Sequence, residues 1–175
     1  GGDYQGKNPA IKNATETYIS SDVNIHADAV LEGDGGKVII WADDTTRYFG
    51  SLSVRGGSNQ GNGGLAEVSG KENLLFRGKA DLSAANGSRG TLLLDPKNIQ
   101  VANSPNCGGS CDETSSSSSD VTTGATFTTN NVVDKPEDFG IRTTDLVSAL
   151  TGNVILKANN DITIDSAIDA SGNNN

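Results

Sequence analysis

The residues able to do chemistry are few and widely spaced. The only cysteines, Cys107 and Cys111, sit in Asn106-Cys107-Gly108-Gly109-Ser110-Cys111. The two glycines let so short a loop close, which favours a disulfide over a pair of free thiols. A zinc site would need two more ligands, and the single histidine, His26, is far away in sequence. A disulfide would indicate an oxidising, extracytoplasmic setting, though closing so short a loop removes little chain entropy. Asp43 and Asp44 are adjacent carboxylates suited to calcium binding or acid–base work. Gly33-Asp34-Gly35-Gly36 has the start of a calcium-binding nonapeptide pattern, but its second aspartate spacing does not recur. His26 has no Ser, Cys or carboxylate placed to complete a triad. Asn13-Ala14-Thr15 and Asn86-Gly87-Ser88 fit the N-glycosylation pattern, with Asn13, in an apparent loop, the better candidate. No catalytic residue, metal or cofactor is expected.

What must position these groups is a repeat. Gly35-Gly36-Lys37-Val38-Ile39-Ile40-Trp41-Ala42 returns as Gly63-Gly64-Leu65-Ala66-Glu67-Val68-Ser69-Gly70, about 28 residues on. Arg89-Gly90-Thr91-Leu92-Leu93-Leu94-Asp95 and Gly152-Asn153-Val154-Ile155-Leu156-Lys157-Ala158 are further copies. Two columns are wholly apolar: Val38, Ala66, Leu92, Val154 and Ile40, Val68, Leu94, Leu156. The column between them is Ile39, Glu67, Leu93 and Ile155, and an ionised Glu places it outside a sealed core. Period-two alternation means strand, with the apolar columns facing inward.

A second strand follows in each copy, through Val23, Ile25 and Ala27, then Leu52 and Val54, Leu82 and Ala84, Ile168 and Ala170. Turns such as Gly56-Gly57-Ser58-Asn59 and Gly61-Asn62-Gly63-Gly64 supply the positive φ angles of tight corners. One period reads as strand, bend, strand, bend: one coil of an all-β parallel β-helix, or β-solenoid, whose coils stack about 4.8 Å apart.

The 175 residues are expected to form a single β-solenoid domain. Residues 1–22 are a lead-in segment, 23–101 regular coils, 102–140 an insertion and 141–175 resumed coils. The insertion is an irregular loop and strand excursion around 103–140, holding the Cys loop and the serine run Ser115 to Ser119. A short helical turn near 144–150 follows, with Thr144 as its cap and Leu146 and Leu150 on one face. Part of the stretch 103–150 is expected to lie over one flank and cover some of the outward apolar column; otherwise Ile39, Leu93 and Ile155 form an exposed contact stripe. Trp41 falls in an outward column with Ser69, Asp95 and Lys157. An exposed indole could stack on a sugar ring as a surface contact, whereas cover by the amino-terminal segment is the preferred reading. Asp43 shares an outward column with Lys71 and Lys97, where cross-coil ion pairs are expected.

Composition agrees with a thin core. Gly is 22 of 175 residues, roughly twice the usual share of about 7%, and aromatics are only 5%. Net charge is −9 and the pI about 4.4, which argues against nucleic acid or an anionic membrane as partner. No apolar run reaches the roughly 18 to 20 residues of a membrane span, so no direct membrane insertion is expected. No basic start followed by an apolar segment is present, so a secretion signal is read as removed or upstream.

Several stretches jointly carry a family resemblance. They are Gly1-Gly2-Asp3-Tyr4-Gln5-Gly6-Lys7, Gly33 through Asp43, Glu67-Val68-Ser69-Gly70-Lys71, Asp81 through Gly87 and Gly90-Thr91-Leu92-Leu93-Leu94-Asp95-Pro96. Their order resembles the filamentous-haemagglutinin-type exoproteins of the two-partner secretion pathway, over about 1–101 and 141–172. The resemblance implies a right-handed parallel β-helix, an extracellular or cell-surface location, and adhesion or fibrous surface structure. It carries no catalytic residues. The expected partners are the chain itself, stacked end to end or continued in a longer parent, and cell-surface glycans or matrix. The alternative from another class is a polysaccharide-binding or polysaccharide-cleaving β-helix protein.

Overall fold

The structure, a computed structural model, describes residues 3–102, 141–148, 151–165 and 167–169. After a short 3-10 turn, Tyr4–Gly6, come β1 (Glu16–Ile19) and β2 (Asn24–His26). Two full passes follow: β3 (Lys37–Ala42), β4 (Thr45–Tyr48), β5 (Ser51–Ser53), then β6 (Leu65–Gly70), β7 (Asn73–Phe76), β8 (Lys79–Asp81). β9 (Thr91–Leu94) and β10 (Ile99–Ala102) precede β11 (Ile141–Arg142), α1 (Thr143–Ser148), β12 (Asn153–Leu156) and β13 (Ile162–Ile164). All the strand pairs are parallel, in a four-stranded sheet β12-β9-β6-β3, a six-stranded sheet β1-β4-β7-β11-β10-β13 and a three-stranded sheet β2-β5-β8.

The sequence repeat is the register of the four-stranded sheet. Val38 pairs with Ala66, Ala66 with Leu92 and Leu92 with Val154. Ile40 lies beside Val68 and Leu94 beside Leu156, and these residues belong to one hydrophobic cluster. The glycines that open each repeat serve mainly close approach rather than positive φ. A Cβ on Gly64 would lie 2.0 Å from the Gly36 carbonyl oxygen, and one on Gly90 would lie 2.2 Å from that of Gly64. Among the described glycines, φ is positive only at Gly6, Gly33 and Gly61.

Each full pass has three strands, not the two expected. The strand missed is Thr45–Tyr48, with its counterpart Asn73–Phe76. Its inward positions are Thr46 and Tyr48, and the Thr46 hydroxyl donates to the Ser69 carbonyl at 2.8 Å. A threonine satisfied in this way fills a core position that an apolar pattern cannot flag. Parallel pairing also starts at Glu16, before the predicted first coil at Val23.

The second departure is a wedge. β11 stands between β7 and β10, pairing Ile141 with Phe76 on one side and with Val101 on the other. One inward column therefore runs Ile19, Tyr48, Phe76, Ile141, Val101, Ile164. The rings of Tyr48 and Phe76 stack with centroids 5.4 Å apart, and burial pushes the Tyr48 phenol well above its ordinary pKa. The helix begins at Thr143 rather than being capped by Thr144, and buries Leu146 in the core. Arg77 approaches Asp145 of the helix at 3.7 Å. Thr151 finishes the outer edge of β8: its hydroxyl accepts from Leu82 N and donates to Ala80 O, each at 3.1 Å. The cysteine loop, the serine run and Leu150 lie outside the described residues.

Ile141, 1% exposed in mid-column, should lose about 3 kcal/mol of stability as Ile141→Ala. Ile164→Ala, at the open end of the same column, should lose under about 1 kcal/mol. Urea denaturation of both variants measures the difference; equal losses would contradict the wedge.

Candidate functional site

The outer face of the four-stranded sheet collects most of the singled-out residues. Ile39, Glu67, Leu93 and Ile155 form the predicted outward column, and Trp41 pairs with Ser69 beside it. The amino-terminal turn lies across them as a strap. Gln5 adopts φ 55, so that its backbone N–H reaches Glu67 Oε2 at 2.9 Å while its side-chain amide donates to Asp95 Oδ2 at 2.7 Å. Lys157 Nζ donates to the same Asp95 oxygen at 2.8 Å. Gly6 sits so close to the indole that a Cβ there would lie 2.5 Å from Trp41 Nε1. That N–H donates to Asp43 Oδ1 at 3.0 Å, and Asn13 Nδ2 donates to Asp43 at 2.8 Å and to the Gly6 carbonyl at 3.1 Å. Lys37 meets Asp3 at 3.3 Å and lies over the Tyr4 ring.

This arrangement decides several site expectations. Trp41, 6% exposed, is covered by the amino-terminal segment as preferred, and with Leu93 at 3% neither is a surface contact. Ile39 is half-buried, and only Ile155, at 49%, stays open. Glu67 lies outside the inner core yet is fully buried. The cover seen over Glu67 and Trp41 comes from the lead-in segment; of the stretch 103–150 expected to supply it, only 141–148 lies within the described residues. Burial raises the Glu67 pKa, against the lowering effect of the Gln5 N–H and Ser69 bonds. Asp43 is fastened by hydrogen bonds more than by its column: the bonds from Trp41 and Asn13 hold its carboxyl below the ordinary range, with a smaller attraction from Lys71. Lys97 pairs instead with Glu72, at 2.9 Å.

The three-stranded sheet gathers a second cluster that sequence reasoning missed. His26, Ser53 and Asp81 share an outward column. His26 Nδ1 lies 2.8 Å from Ser53 Oγ, and the Ser53 hydroxyl donates to Asp28 Oδ2 at 2.8 Å. Arg55 clamps Asp28 through Nη2 at 2.8 Å and Nε at 3.1 Å, and its backbone N–H donates at 2.7 Å. His26 points to solvent as expected, but it is not without serine and carboxylate neighbours. A signal was present: His26 and Asp28 recur one period later as Ser53 and Arg55. The connectivity is still wrong for acyl transfer. Activation needs the imidazole between serine and carboxylate, receiving the hydroxyl proton; here serine is in the middle and its proton is directed at Asp28. The cluster stitches β2 and the residues after it to β5 and the residues after it.

Elsewhere, Asn13 is a poor glycan acceptor because its amide nitrogen holds two hydrogen bonds. Asn86 is the exposed one, donating only to the Ser58 carbonyl among the bonds seen, at 2.9 Å. Asp34 spends its carboxylate on the corner, accepting from Asn62 N at 2.7 Å, and Asn62 Oδ1 accepts from Ser88 N at 2.9 Å. Among the described residues no three His, Cys, Asp or Glu side chains stand close enough to hold a metal ion. No described helix is long and apolar enough to cross a membrane. A scan against family models finds no match, and a search of the curated proteins likewise finds none.

Burial raises the Asp28 pKa, but the bonds from Arg55 and Ser53 outweigh it and leave it lowered. A carboxyl lowered by folding adds stability above its unfolded value and loses it as pH falls through the folded one. Asp28→Ala should therefore cost about 1 kcal/mol at pH 7, since Arg55 is half exposed. The cost should shrink as the pH drops below 3.8. Urea titrations at neutral and strongly acidic pH check this, and an unchanged cost would exclude the charge as its source.

Proposed function

We propose that the chain is a section of a secreted, non-enzymatic right-handed β-helix of the filamentous-haemagglutinin type. It serves as an adhesin segment or extracellular fibre unit, extended by further coils at its ends. The observation that carries this reading is a core left open at the carboxy-terminal rung. Ile162 and Ile164 continue the inward positions of Ile99 and Val101, yet they are 47% and 57% exposed. Val154 and Leu156 likewise continue inward columns and are half-buried. At the other end Ile19, Ile25 and Val38 are also only half-buried against the core.

Apolar inward positions on an edge that no described strand pairs with are suited to another parallel rung, and an open edge is a template for one. That rung comes from the next coil of a longer chain or from a second copy. Head-to-tail copies form a contact that does not close on itself and so grows into a filament. Cell-surface glycans or matrix are the partners this reading assigns to the exposed flanks. The outward carboxylates Asp28, Asp43 and Asp95 are engaged by Arg, Trp, Asn, Gln or Lys donors, which favours a structural over a polysaccharide-cleaving role.

In sedimentation velocity the chain should associate in a concentration-dependent way and show filaments by electron microscopy. Replacing Ile162 and Ile164 together by Lys should return it to monomers with an unchanged fold. Monomers at every concentration, with no fibres, would remove self-stacking from the proposal.

A further inference from the structure

We propose that the Asp3–Gly6 strap is a proton-controlled clasp, fastened most tightly in mildly acidic solution and loosened when the Glu67 carboxyl beneath it ionises. The geometry begins with the column. Glu67 is flanked by Ile39 on β3 and Leu93 on β9, and the strap seals it completely. Oε2 accepts from Gln5 N at 2.9 Å, while Oε1 is buried without a hydrogen-bond partner. Ser69 adds a side-chain bond and Lys37 of β3 a smaller attraction, but Lys37 is itself drawn to Asp3 and the Tyr4 ring, and burial outweighs both. Lys157, beyond β12, is held by Asp95 at 2.8 Å. Lys7 of the strap donates to the Gln5 side-chain oxygen. Asp95, following β9, adds repulsion rather than relief. An ionised Glu67 thus pays for burial with no ion pair, whereas lifting the strap would hydrate it.

The sign follows from linkage. Buried beneath the strap, the Glu67 carboxyl has a pKa above its ordinary 4.5, desolvation outweighing the Gln5 N–H bond. Lifting the strap would rehydrate it, so the docked form is the one that holds the proton more tightly. Docking is strongest when Glu67 is protonated. It weakens as pH rises from 4.5 through the docked value, about tenfold for each unit that docking raises the pKa. The other acidic fastenings act at lower pH: Asp3, through its bonds from Tyr4, Asn8 and Lys37, and Asp43, through those from Trp41 and Asn13, are both held below 3.8. These are lost only under stronger acid, which sets a lower limit to the tight range.

The test uses the whole chain and hydrogen exchange at the Gln5 amide, the group that donates to Glu67. After correction for intrinsic exchange, its protection should fall at least several-fold between pH 4.5 and 8 and then level off. In Glu67→Gln the fall should vanish. The only tryptophan, Trp41, should stay as shielded from acrylamide in that variant as in the native chain, showing that the strap remains docked. Flat native protection, or the same fall in Glu67→Gln, would overturn the proposal. A direct carboxyl titration of Glu67 by NMR needs no variant, and a value at or below 4.5 would overturn it equally.

Discussion

Parallel pairing with rungs about 4.8 Å apart sets a condition that the rest of the structure obeys: each residue must tolerate its counterpart in the next coil. Where the counterparts are apolar, the columns become core, as with Val38, Ala66, Leu92 and Val154. Where backbones crowd at a corner, glycine sits over glycine, as with Gly36, Gly64 and Gly90. Where a charge appears within a paired strand, its column neighbours avoid the same sign. Lys37 is followed by Leu65, Thr91 and Asn153; Arg47 lies between Tyr18 and Leu75; Glu67 lies between Ile39 and Leu93. Like charges stacked at this spacing would repel along the whole ladder.

That condition explains what was legible in the residues. Apolar columns must repeat to fill a continuous interior, so the four-stranded sheet and its register could be read before any coordinates. The six-stranded sheet was hidden because its inward positions include Thr46, satisfied by a carbonyl of the neighbouring sheet, and Tyr48, whose hydroxyl finds the Lys79 carbonyl at 3.2 Å. Neither residue looks like core until its partner is seen. The strap was equally hidden. Nothing in Asp3-Tyr4-Gln5-Gly6 announces that one residue will reach both Glu67 and Asp95, and only the close fit of Gly6 against Trp41 gives the glycine a purpose. The His26 cluster was accessible in principle, since its members are one period apart.

The wedge strand shows how far the rung condition bends. β9 keeps its pairing with β6 from Leu65–Thr91 to Glu67–Leu93, while one face further on β7 and β10 are parted by β11. An extra rung on one face alone would leave a hole in an inward column. Ile141 fills that position between Phe76 and Val101. On the adjoining face the Thr151 hydroxyl meets two edge groups beside β8, accepting from Leu82 N and donating to Ala80 O. Such a substitute keeps these backbone groups satisfied where no described strand pairs with them.

The strap addresses a weakness of the architecture. Where parallel strands stack, each pairs only with its neighbours in the sheet, so an end can fray without disturbing the middle. Contacts along the stack direction are the remedy. Gly6 packs on Trp41 of β3, Gln5 N reaches Glu67 of β6, and the Gln5 side chain reaches Asp95 just past β9. One short segment therefore spans three successive rungs, crossing the strands and running along the direction of their hydrogen bonds. Lifting any of these rungs means first undoing a contact made to the other two, which turns a chain of nearest-neighbour steps into a more cooperative unit. The left-handed backbone at Gln5 costs on the order of 1 kcal/mol. Its persistence here fits a segment held at several points at once rather than one resting on a single bond.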